Sequence, residues 1–235
     1  MKQMNQLNPL PITYNATRLH LNTLLNASIP QHTVDLTAEQ FFDRPFTTMD
    51  VEWAKDHIKK HSGKSAAGIE GISYQDVQAV DNDLLVGLLN TCLCNNDAPS
   101  IWFTTVLTGA LKKGKPASDP NSYQTIGLES CVLKVITLLI HYHFSQWASA
   151  QSLIPHSQNG FRETYCTNNN AFVLQCAIER AHSLGKTLYV ASVDITNAFP
   201  SAEHATLWIK LQHLGAGGKI SDWIQMLYQQ MSYIV

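Results

Sequence analysis

Charge is what this 235-residue chain has little of: Asp, Glu, Lys and Arg make up 14% of it, against about 25% in an average soluble domain. The hydrophobic share is 45%, which excludes a disordered tail or a collagen-like fibre. A net charge of −2 excludes a histone-like, strongly basic binder. No stretch approaches the roughly 18 apolar residues of a membrane span, and no apolar core follows Met1-Lys2-Gln3 as in a signal peptide. The expectation is therefore an intracellular protein without membrane association, in cytoplasm or nucleus. Five cysteines, an odd number in a chain of this size, argue against a disulfide framework. Cys92 and Cys94 lack a second pair at zinc-finger spacing and read as buried or half-buried thiols. The length fits one large domain or two small ones.

The few charges are segregated. Residues 1–100 carry a net −4 and residues 101–235 a net +2. No Lys or Arg occurs between Ser65 and Leu111, and then Lys112, Lys113 and Lys115 arrive together. Such a cluster is either a phosphate-facing spot or a solvated loop. His57 and His61, four apart, lack the intervening Glu of a metalloprotease motif and read as a polar helix face. His141 and His143, two apart, fall on different helix faces, a poor arrangement for chelation.

Residues 1 to 45, rich in Asn, Gln, Thr and Pro, read as an irregular lead-in with one short helix around Leu19–Leu25. Thr47 and Asp50 mark a helix N-terminus, and that helix ends near Ser62-Gly63. Gly68 and Gly71 predict a backbone that turns sharply or closely approaches something. A helix over Asp81 to Asn95 follows, with Asp81 and Asp83 suited to its N-terminus. Trp102 to Leu111 reads as a strand, Asp119 to Ser122 as a turn, and Leu128 to Trp147 as a long amphipathic helix with Val132, Val135, Ile136, Leu139 and Tyr142 on one face. Thr167 is placed to cap a helix ended by Gly185. Lys186 to Ile195, apolar on both faces, predicts a central strand with Asp194 near its C-terminal end. Helices from about Ser201 to Leu214 and from Ser221 come next, and Ser232-Tyr233-Ile234-Val235 begins another strand.

An Asp closing a central strand suits a hard cation such as Mg²⁺, with the Ile195 carbonyl as a second oxygen. Asp194 reads equally well as the cap of the following turn. Phe199, five residues on, places a flat ring beside the same pocket.

Several segments, in order, resemble the reverse transcriptase domain of non-LTR (LINE-type) retrotransposons. Ser65 to Ile72 resembles the family's S-P-G-x-D-G-I loop, and Leu111-Lys112-Lys113-Gly114-Lys115 its x-K-K-G-K segment. Asn121 to Leu128 resembles x-x-Y-R-P-I-S-L, followed by the helix Lys at Lys134. Leu153-Ile154-Pro155 and Gln158-Asn159-Gly160-Phe161-Arg162 resemble L-I-P…Q-x-G-F-R. Val193 to Phe199 resembles the first catalytic motif, x-D-I-x-x-A-F. Leu207, Leu211, Gly215, Ile224, Leu227 and Tyr228 fit the same pattern.

The resemblance implies an α+β, helix-rich fold: right-hand polymerase fingers with an incomplete palm. Residues 1–45 are then the lead-in, 46–185 a fingers-like helical region with strands, and 186–235 the start of the palm. It implies an RNA-directed DNA polymerase, a nucleotidyltransferase that takes an RNA template, a DNA primer and deoxynucleoside triphosphates. In that family three aspartates hold two Mg²⁺ ions that activate the primer hydroxyl. By position, Asp194 is the catalytic metal ligand and Ile195 the carbonyl ligand. Phe199 lies against the sugar of the incoming nucleotide. Lys112, Lys113 and Arg162 meet the triphosphate or template backbone, and Lys115, Gln158 and Gly160 face the template.

The departures are as informative. After Asp194 only Glu203 and Asp222 are acidic, and no Asp-Asp pair occurs anywhere. The second and third catalytic carboxylates are absent, so the motif order implies the first part of a longer domain, inactive as this isolated chain. Gln124 and Thr125 replace the Arg and Pro of Y-R-P-I, and Glu70 replaces the Asp of the glycine loop. A non-catalytic RNA-binding module and a non-functional retroelement relic are the alternatives.

Overall fold

The computed structural model describes residues 15–28, 41–61, 66–195, 198–199 and 202–235. The chain divides into two compact units, one of residues 1–147 with 204–235 and one of residues 148–203. This grouping by contacts cuts the chain elsewhere than the motif order does.

The first unit is mostly helical. Helix α1 (Ala16–Ala27), capped by the Asn15 side chain, is followed by α2 (Thr48–His61), the short α3 (Tyr74–Ala79), α4 (Asn82–Asn95) and α5 (Cys131–Ala150). Local signals start each one. The Thr47 N–H and hydroxyl both donate to Asp50 Oδ2 at 2.8 Å, and the Asp50 N–H returns a 3.3 Å bond to Thr47 Oγ1. Ser73 and Asp76 form the same reciprocal box on α3, and Asp81 accepts from the Asp83 and Leu84 amides on α4. These boxes satisfy amide donors that the helix cannot pair internally. The core takes in the inward stripe of α5 and the packed faces of α2 and α4. Val132, Val135, Ile136 and Leu139 are buried with Val51, Ala54, Ile58, Leu85, Leu89 and Leu93. Full burial of each Val, Leu or Ile among them is worth about 1.5–3 kcal/mol.

After a 3-10 turn (Ser100–Phe103), strand β1 (Thr104–Leu111) pairs antiparallel with β2 (Tyr123–Leu128), Val106 opposite Leu128 and Leu111 opposite Tyr123. Near the C-terminus, β3 (Ser232–Ile234) lies parallel to β1, giving a mixed sheet in the order β2-β1-β3. Helix α6 (Thr167–Ser183) belongs to the second unit, while α7 (His204–His213) and α8 (Gly218–Gln230) return to the first. The result is a helix-rich α+β fold with a small sheet.

Several expectations are corrected. Lys186 to Ile195 forms no strand, and each of its residues is exposed. A central strand needs neighbours on both edges, and none of the three strands pairs with this segment. Cys94 is exposed while Cys92 is buried, because residues two apart on a helix face nearly opposite ways. Thr167 is the first residue of α6 and not its cap, and Cys166, in the cap position, makes no side-chain cap bond. Helix α7 begins at His204, and the expected start at Ser201 lies outside the described residues. Helix α8 starts three residues before Ser221, because its cap comes from far away. The Asp43 carboxylate accepts the Lys219 N–H at 2.9 Å. It also fills the space where a Cβ on Gly218 would sit, 2.7 Å from that position.

The two loop glycines divide the roles expected of them. Gly71 takes a left-handed φ of +73°, while Gly68 packs so closely that an added Cβ would lie 2.7 Å from the Ser130 amide nitrogen and 2.8 Å from the Glu129 carbonyl carbon. Gly68→Ala therefore must shift backbone at the start of α5, and urea denaturation should show a loss of about 1–3 kcal/mol. Gly87→Ala in α4 meets open space and serves as the control, with no loss.

Candidate functional site

The residues that sequence singles out fall into two sets, one on each unit.

The first is the tip of the β1–β2 hairpin. Beyond Leu111 the chain turns through Gly114 at φ +74°, with the Lys115 N–H donating to the Lys112 carbonyl at 3.1 Å. The loop is closed at its base by the Lys112 N–H on the Ser122 carbonyl at 2.8 Å and braced by the Tyr123 hydroxyl on the Ala117 carbonyl at 3.1 Å. Lys112, Lys113 and Lys115 are all exposed. Three exposed lysines in four residues concentrate positive charge on this braced loop. Gln124, standing where the resembled motif has Arg, is exposed opposite Ala110. That strand position therefore contributes no charge.

The second set lies in residues 148–203. The Gln158 N–H donates to the Pro155 carbonyl at 3.0 Å, and its side-chain amide donates to the Gly160 carbonyl at 3.1 Å. Arg162 donates to the carbonyls of Pro155 at 3.1 Å and Gln158 at 3.4 Å, with its guanidinium 4.0 Å over the Tyr165 ring. These contacts fold Arg162 back on its own loop. Asn159 fastens the loop to α6 through Asn170.

The same loop holds Phe161 at a φ of +58°, outward, 88% exposed. Its ring meets Phe199 edge to face, centroids 5.9 Å apart, and Phe199 is itself 77% exposed. Two motif segments separated by the whole of α6 thus converge on one aromatic pair. Sequence reasoning gave Phe199 a role, named Phe161 only as a motif position and passed over Tyr165. Both belong to or follow the Gln-x-Gly-Phe-Arg run, but a positive φ on Phe has no local signal.

Asp194 and Ile195 lie exposed on the irregular segment before Phe199. The described residues do not fit two Mg²⁺ ions: no group of three or more His, Cys, Asp or Glu among them could hold a metal. A single carboxylate cannot supply the bridging anionic ligands that two hard cations require. A cleft of about 760 Å³ lies among α1, α4, α7 and α8, lined by Cys94, Trp208, Lys219 and Met226 and by Leu211 and Ile224 of the resembled pattern, but by no residue of the two sets above.

All five cysteines are free thiols. Among the described residues no helix is long and apolar enough to cross a membrane.

No protein-family model matches the chain. It is similar to the Retrovirus-related Pol polyprotein from type-2 retrotransposable element R2DM of Drosophila melanogaster, 24% identical over 166 residues, which are 70% of this chain and 15% of that protein. It is also similar to the Probable RNA-directed DNA polymerase from transposon X-element and that from transposon BS, both of Drosophila melanogaster. Each is 25% identical over 173 residues, or 72% of this chain and 19% of the relative. The chain thus spans about a fifth or less of the length of these relatives.

Proposed function

Starting from curated relatives that are retrotransposon RNA-directed DNA polymerases and Pol polyproteins, we propose that this chain is a reverse-transcriptase-like segment that holds nucleic acid and does not transfer nucleotides by itself. The observation that carries the reading is the convergence of the Gln158–Arg162 loop and the Asp194–Phe199 segment on the exposed pair Phe161 and Phe199. Exposed aromatic faces stack nucleobases, and lysines such as those of the hairpin tip neutralise phosphates. Within this reading Asp194 is one metal ligand, Ile195 adds a carbonyl, and Phe199 sits against a nucleotide sugar. Gln158, Gly160 and Lys115 face template and Lys112 and Lys113 face phosphate, while Arg162 reaches phosphate only by leaving the Pro155 and Gln158 carbonyls that hold it. The Mg²⁺-dependent transfer of the resembled family needs two further carboxylates, so no metal-dependent step is assigned to these residues alone.

Two assays test the reading. Purified chain with primed RNA template, Mg²⁺ and deoxynucleoside triphosphates should give no extension. Robust extension that Asp194→Ala abolishes would overturn the inactivity. Affinity for single-stranded RNA should fall with salt, each phosphate contact adding about −0.7 to the logarithmic slope. Lys113→Glu with Lys115→Glu should flatten that slope, and a salt-independent affinity would remove nucleic acid from the proposal.

A second reading, a retroelement relic, is favoured by α6, which has no buried residue and leaves Phe172 and Val173 exposed. A sharp cooperative melt that includes the second unit would count against it.

A further inference from the structure

The aromatic ladder on α2 is left unused by the functional reading. Trp53, His57 and His61 follow one another at four-residue spacing, which stacks side chains on one helix face. Tyr142 of α5 lies against Trp53, ring centroids 4.3 Å apart and 28° from parallel. Trp53 in turn carries His57 at 5.3 Å, and the His57 and His61 ring centroids are 4.6 Å apart. His57 is half-buried and His61, at the last turn, is exposed. One imidazole is therefore held by a packed stack and the next is open to solution.

The donors select a ligand. A metal about 2.0–2.1 Å from an imidazole nitrogen lies about 3.2 Å from that ring's centroid. Centroids 4.6 Å apart fall within the roughly 6.4 Å that two imidazoles on one ion can span. Imidazole suits Zn²⁺, Ni²⁺ and Cu²⁺, and affinity for nitrogen ligands rises through Ni²⁺ to Cu²⁺ and falls again at Zn²⁺. Hard ions prefer oxygen, so Mg²⁺ and Ca²⁺ are not candidates.

We propose that His57 and His61 form a bis-imidazole site for a divalent transition metal of the Ni²⁺ or Cu²⁺ class, with water completing the coordination shell. The stack of Tyr142 and Trp53 under His57 removes part of the ordering cost of the first ligand. Trp53, in contact with that ligand, is an internal reporter because paramagnetic ions quench indole fluorescence at such range.

The test is a Ni²⁺ titration of the full chain, its accessible thiols blocked with iodoacetamide, followed by calorimetry and tryptophan fluorescence. The expected result is one equivalent bound, with quenching and a rise in melting temperature. His61→Ala should weaken binding at least about tenfold, since even outer partners of a metal ligand cost 10–100-fold, while leaving the metal-free melt unchanged. Trp53→Phe should keep the binding heat and lose the matching part of the quench. Equal affinity of His61→Ala and the unaltered chain would overturn the site, as would quenching that survives Trp53→Phe in full.

Discussion

Asp50→Ala should cost the first unit about 3 kcal/mol, read as a lower urea midpoint with an unchanged slope. The Asp50 carboxylate, 6% exposed, accepts from the Thr47 amide, the Thr47 hydroxyl and, at 3.2 Å, the Arg44 guanidinium. Burial pushes this carboxyl up, but the Thr47 bonds together with the Arg44 charge outweigh it and hold it below the usual carboxylate range. Removing it strips the cap from α2 and leaves Arg44 without its anion. Arg44 is partly exposed, at 36%, so water softens that second loss and the figure sits at the lower end for a buried pair. Asp50→Asn, which keeps an acceptor for the Thr47 amide, should lose less. Against a total stability of about 5–15 kcal/mol, the alanine variant remains folded but marginal.

The second large effect is a loss of stability in mild acid, centred on His143. The ring is fully buried. Arg44 Nη2 lies 3.0 Å from Nε2, and the Phe41 carbonyl lies 2.9 Å from Nδ1. An arginine can only donate, so Nε2 accepts and Nδ1 carries the proton that goes to Phe41. This arrangement requires a neutral ring. Burial pushes its pKa below the ordinary 6.5, assisted by the Arg44 charge and opposed by Phe41 and Asp50. A base with a lowered folded pKa contributes its full stability above the unfolded value. It loses that stability as pH falls below about 6.5 toward the folded pKa, by up to about 1.4 kcal/mol per pH unit. Melting temperature should thus drop between pH 7 and pH 5, ahead of any effect of Asp50, whose stabilisation is lost only below its ordinary 3.8. His143→Leu should be weaker at pH 7.5 and flat across that window. An equal slope in the variant would show that other groups carry the acid sensitivity.

Helices were legible wherever cap and periodicity are local. Thr47 with Asp50, Asp81 before α4, and the stripe Val132, Val135, Ile136 and Leu139 all read directly from the chain. The stripe drifts at its far end, where His143 is buried and Tyr142 instead stacks on Trp53. That drift follows from 3.6 residues per turn combined with a partner on α2. Strand β2 was read as a motif and not as a strand, because Gln124, Thr125 and Gly127 break the apolar alternation. Its pairing with β1 is supplied by the hairpin. The segment before Asp194 failed for the opposite reason: its composition is strand-like, but strand propensity is realised only against neighbours. Of the site, the order of the motif segments was readable. The meeting of Phe161 with Phe199 and the folding of Arg162 onto Pro155 and Gln158 were not, since both depend on loop dihedrals with no sequence period.

The Asp43 cap on α8 changes what the first 45 residues are. Read by composition they are a lead-in, yet Asp43 fixes the start of a helix 176 residues away. Beside it Phe42 is fully buried, edge-on to Phe144 and Trp147. A shortened version of the chain beginning at Phe46 would lose a keystone of the first unit and not a tether, so any boundary drawn for expression belongs upstream of Phe41.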